Sequence, residues 1–233
     1  MAEPVITHFD PDPSLLAPLL DATRYNAWNA ETYSNPDWPG NILSKRTVIY
    51  GDGTIARMSD PVTFAVDPSE LNLCRRLAAE AGEAAEGLEV PGGTGLNYFG
   101  SFYNVAREGV PAPGRIEAEL IRARFGSALF ALAEMEIEPL DEAGLWWLQE
   151  EEDGDPDAPN MQRWKDLIRW FRDHPEFVDS AYVRIGDNLE NSDIPASDLP
   201  ADVETVGVIM PRLIVGLTRL GSLAGLSGCA VLA

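Results

Sequence analysis

The sequence predicts a single α+β domain, a mixed and largely antiparallel sheet packed by helices. Three observations lead there. β-Branched runs flank tight glycine turns, helical apolar spacing recurs between them, and the elements interleave without a strict βαβ repeat. At 233 residues the chain can bury one sizeable core, so residues 1–233 read as one domain. A composition of 45% hydrophobic and 24% charged residues is that of a globular protein and excludes a disordered one.

The elements follow in order. Ser14 to Trp28 pairs Leu15, Leu16, Leu19 and Leu20 at helical spacing, with Pro13 and Pro18 limiting its start. Asn29 to Gly40 carries Asn-Pro, Trp-Pro and Gly signals and reads as loop. Thr47 to Tyr50 and Thr54 to Met58 flank Gly51-Asp52-Gly53, the pattern of a hairpin. Pro61 to Val66 is a further short strand. Asp67-Pro68-Ser69-Glu70 opens a helix, with Asp67 as N-cap, Pro68 at the first position and Glu70 as the capping-box acid; it runs to about Ala85.

Leu88 to Gly114 is rich in Gly and Pro and holds Tyr98, Phe99, Phe102 and Tyr103. Arg115 to Glu134 reads as a helix. An acidic run follows from Glu150 to Asp157. Asn160 to Asp173 is the clearest amphipathic helix, with Trp164, Leu167, Ile168 and Phe171 on one face. Strands follow at Ala181 to Ile185, Val206 to Thr218 and Leu223 to Leu232, the last two joined by the turn at Arg219 to Ser222.

The unusual quantity is charge. Lys plus Arg total 17 against 38 Asp plus Glu, a net −21. Such a surface repels nucleic acid and anionic lipid and draws cationic proteins or metal ions, although solubility alone would also select it. The only cysteines, Cys74 and Cys229, do not make a disulfide framework or a zinc motif, and the sequence leaves their pairing open. Met1 to Pro4 shows no signal-peptide pattern, and Val203 to Ala233 is broken by Pro211, Arg212 and Arg219. A cytoplasmic protein without membrane contact is expected.

Motifs for catalysis are weak. His8-Phe9-Asp10 has a metal-ligand spacing, with His174 as a formal third ligand, but a two-residue pattern carries almost no information. His174 fits better as a histidine complementing the end of the Asn160 to Asp173 helix. Gly92-Gly93-Thr94-Gly95 could cradle a phosphate in a metal- or nucleotide-dependent enzyme. It lacks the P-loop lysine and a strand-to-helix setting, so a flexible loop is the plainer reading. The acidic run lacks EF-hand spacing. No enzyme and no cofactor are expected.

The C-terminal third resembles a known family. Trp164-Lys165-Asp166-Leu167-Ile168, Ala181-Tyr182-Val183-Arg184-Ile185-Gly186, Leu213-Ile214-Val215-Gly216-Leu217-Thr218 and Gly221-Ser222-Leu223-Ala224-Gly225-Leu226-Ser227 are similar, in this order, to the ending of the nuclease A inhibitor family. Leu20 to Thr23, Asn29 to Thr32 and Thr63 to Ser69 resemble its N-terminal motifs. Residues 88–157 have no counterpart and would be an insertion. The resemblance implies an α-β-α sandwich-like, monomeric immunity-type protein whose partner is a basic, metal-dependent, sugar-non-specific nuclease.

It implies that Glu31 is presented in trans to the partner's metal and that the carboxylate of Ala233 enters the interface. A carboxylate would there replace a phosphate oxygen on a hard cation. Thr32 lies in the same motif, and Trp28, Tyr33 and Trp38 around it would be aromatic anchors. Two residues depart from the pattern: Ala30 stands where the family has serine, and Ala233 where it has threonine. The same scaffold could instead bind another cationic protein, with Tyr98, Phe99, Tyr103, Trp146 and Trp147 of the insertion as a new surface.

Overall fold

A computed structural model of the protein describes residues 47–49, 51–57, 66–91, 97–142, 159–186, 195–198 and 209–231. The helix expected at 14–28 lies outside them, as do residues 61–65 of the third expected strand. Seven strands and three helices alternate along the described residues: β1 (Thr47–Ile49), β2 (Ile55–Arg57), α1 (Pro68–Ala84), β3 (Gly100–Asn104), α2 (Ala118–Phe125), β4 (Met135–Pro139), α3 (Pro159–Asp173), β5 (Phe177–Ile185), β6 (Ile209–Thr218) and β7 (Leu223–Val231). β1 and β2 form the expected hairpin. The other five strands form one sheet in the order β3-β7-β6-β5-β4, with every pairing antiparallel.

The central strands explain the layering. Residues 211–218 of β6 and 223–228 of β7 are buried without interruption, which requires cover on both faces of the sheet. Side chains alternate between faces along a strand. Leu213, Val215 and Leu217 therefore share a cluster with Val183, Ile185, Ile121, Phe125 and Ile55 on one side. Ile214 joins Tyr182, Leu226 and the α3 residues Trp164, Leu167, Ile168 and Phe171 on the other. α1 lies beside α3, bringing Leu71, Cys74, Leu77 and Ala78 against Ala224 and Tyr103. The result is helix–sheet–helix layering, as the sequence predicts. Each fully buried side chain here contributes roughly 1.5–3 kcal/mol.

α1 begins as expected, with Asp67 Oδ1 accepting from the amides of Ser69 at 2.7 Å and Glu70 at 3.3 Å. Glu70 departs from its expected capping-box role. Its carboxylate is buried and accepts a 2.5 Å hydrogen bond from the Thr218 hydroxyl at the end of β6. A tertiary partner wins over the local amide because the first turn of α1 packs directly on the β6–β7 turn.

The helix expected over 115–134 is shorter. α2 stops at Phe125 because Gly126 takes φ 51°, and a 3₁₀ turn at Gly126–Ala128 follows. Leu129 and Phe130 then enter the core from irregular chain, while Leu132 is exposed. Both cysteines are free thiols, Cys74 buried and Cys229 half-buried. Burial and the charge of Glu70 push the Cys74 thiol up to about 12, so it is inert as a nucleophile. Residues expected as an insertion supply both edge strands, β3 beside β7 and β4 beside β5.

Candidate functional site

The residues expected to grip a partner, Trp28, Glu31, Thr32, Tyr33, Trp38 and Ala233, lie outside the described residues. So do His8, Gly92 to Gly95, Trp146, Trp147 and the acidic run from Glu150 to Asp157. The remaining aromatic candidates separate. Tyr98 is 54% exposed, whereas Tyr103 is buried. Phe99 packs edge-on against Trp164 with ring centroids 6.0 Å apart. His174 sits just past α3, as expected. Its ring lies 4.8 Å from Trp170 and its Nδ1 accepts from the Glu176 amide, so it belongs to the packing of the helix end.

A half-open cavity of about 450 Å3 that the sequence did not signal lies among the described residues. It lies between β2, the end of β3, the loop after β3 and α2. Thr54, Ile55, Asn104 and Val105 make its floor, Arg107 to Arg115 one wall, and Glu117, Glu119, Leu120, Ala123 and Arg124 the other.

The walls are fixed by hydrogen bonds. The Ile116 amide donates to Asp179 Oδ2 on β5 at 2.7 Å, anchoring the far end of the loop. Arg124 reaches across α2 and donates to the carbonyls of Val105 at 3.2 Å and Gly221 at 2.6 Å. The β1–β2 turn is held against the floor, where the Gly51 carbonyl accepts from Tyr103 Oη at 3.1 Å and the Gly53 carbonyl accepts from Asn104 Nδ2 at 2.6 Å.

The electrostatics of this corner are unusual for so acidic a chain. Arg107, Arg115 and Arg124 line one cavity. Burial and the like charge of Arg107 hold Arg124 below its ordinary range. Asp52, under the hairpin turn, is fully buried, and its Oδ1 accepts from the Thr54 amide at 2.9 Å. Desolvation raises its carboxyl to about 6 against the opposing pull of Arg107 and the Thr54 hydrogen bonds. Asp52 Oδ2 and Asn104 Oδ1 are buried and have no hydrogen-bond partner among the described residues. Such orphaned acceptors are uncommon in a settled core and favour the approach of a donor.

No signal marks the site in the sequence: Arg107, Arg115, Arg122 and Arg124 are spread more thinly than Arg163, Lys165, Arg169 and Arg172. Among the described residues no group of three or more His, Cys, Asp or Glu side chains could hold a metal ion, and no helix is long and apolar enough to cross a membrane. Compared with family models and with curated proteins, the chain matches none.

Proposed function

We propose that the protein is a monomeric cytoplasmic binding protein, an acidic inhibitor that occupies the basic cleft of a metal-dependent, sugar-non-specific nuclease. The observation that carries this reading is the net charge of −21 on a folded α+β scaffold. A charge of that sign and size steers a cationic protein into encounter and suppresses nucleic acid as a direct ligand. The order of α3, β5, β6 and β7 supports it, since these elements contain the segments that resemble the inhibitor family. Glu134, just before β4, and Glu136 within it are exposed, although Glu136 pairs with Arg184 at 3.0 Å. In this reading Glu31 supplies an oxygen ligand to the nuclease's metal. The protein is not itself an enzyme.

The test is a DNA-degradation assay with a magnesium-dependent non-specific nuclease, titrated with wild-type protein and with Glu31→Ala. Stoichiometric inhibition that weakens in Glu31→Ala supports both the function and the residue. Equal inhibition by the variant discards Glu31 and keeps the function. Absence of inhibition by the wild type overturns the nuclease reading and leaves a scaffold for another cationic partner.

A further inference from the structure

We propose that the cavity between the loop after β3 and α2 binds a small organic anion, a carboxylate or phosphate ester with an apolar body, whose anionic group is held by Arg107 and Arg124. The proposal does not rest on the nuclease reading. Its volume of about 450 Å3 falls within the range of small-molecule sites, and its walls are fixed before any ligand arrives.

Three features set the ligand's chemistry. First, Arg124 is oriented by two neutral carbonyls, those of Val105 and Gly221. Neither carries a charge to balance the guanidinium. Arg107 lines the same cavity as Arg124, so an anionic group entering it meets two guanidiniums. Second, Val105, Val110, Pro111, Pro113, Leu120 and Ala123 make the rest of the lining apolar, which suits a hydrocarbon or aromatic body and gives a bare inorganic ion little to contact. Third, Glu117 and Glu119 also line the cavity and repel an anion, so its charged group is favoured only beside the arginines.

The experiment is calorimetric titration of the full chain at low ionic strength with four probes: phenylacetate, mandelate, phenyl phosphate and benzyl alcohol. The three anions are expected to bind with a Kd of about 1 mM or tighter, and neutral benzyl alcohol at least about tenfold more weakly. The tighter of phenyl phosphate and the carboxylates identifies the acid. Arg107→Met should weaken every anion by about tenfold or more while melting near the wild-type temperature, since Arg107 is exposed.

Arg124→Met would also lose two structural hydrogen bonds, so Arg124 is read instead by chemical protection. Phenyl phosphate should slow modification of Arg107 and Arg124 by phenylglyoxal, located by mass spectrometry, and leave Arg184 unprotected. No anion binding at about 10 mM, equal binding of benzyl alcohol, or affinity unchanged in Arg107→Met would each overturn the proposal.

Discussion

Asp52 is a carboxyl that the fold buries without compensating fully. A rise from 3.8 to about 6 means that the folded state holds the proton more tightly than the unfolded chain does. Its contribution to stability is therefore full below about pH 4 and is lost as pH rises through 6, at a cost of roughly 3 kcal/mol by pH 7. Asp52→Asn keeps the acceptor for the Thr54 amide and removes the charge. It is expected to stabilise the protein by about 1–3 kcal/mol at pH 7, with the gain shrinking toward zero near pH 4, measured by urea unfolding across that range. A gain of equal size at both ends would show that Asp52 does not titrate in this window. At this scale the sequence was a partial guide. Asp67 was legible as an N-cap because capping is a local contest settled within three residues. Glu70 was not, because Thr218, its actual partner, lies 148 residues away.

Elements were legible in proportion to their periodicity. α3 shows four large apolar residues on one face and falls within a residue of its expected start. The 115–134 helix was overextended because Leu129 and Leu132 continue an apolar rhythm after Gly126 has already turned the chain. Packing between elements adds a constraint that periodicity hides. A Cβ at Gly216, near the end of β6, would come within 2.4 Å of ring carbons of Phe177, which stacks on Phe171 of α3 with centroids 5.8 Å apart. Gly216→Ala must therefore displace that ring and α3 with it, for a loss of about 1–3 kcal/mol. The measurement is the urea midpoint together with near-ultraviolet circular dichroism, since Trp170 touches both phenylalanines. An unchanged midpoint would mean that Phe177 swings aside at no cost.

At the scale of the whole molecule, charge and class were readable directly and the cavity was not. Its lining comes from β2, the end of β3, the following loop and α2, and no pattern along the chain announces that these meet. The net charge of −21 has its own consequence. Self-repulsion opposes the compact state, and salt shortens its reach from about 30 Å at 0.01 M to about 10 Å at 0.1 M. The urea midpoint is expected to rise with sodium chloride over that range. A fall would show that surface ion pairs such as Arg169–Glu142, at 2.7 Å, outweigh the repulsion.

The two edge strands carry a different implication, for the order in which the molecule can be made. Among the described residues, β3 and β4 take their sheet partners, β7 and β5, from chain that leaves the ribosome after them. Even at the margin of β3, the Ala106 amide waits for Ser222 Oγ, 116 residues downstream. β5, β6 and β7 can assemble as a meander of sequential antiparallel neighbours, but β3 and β4 must remain unpaired in the sheet until that meander exists. Synthesis therefore passes through a stage in which β3 and β4 lack these partners, and β5, β6 and β7, emerging after them, act as the template that captures both.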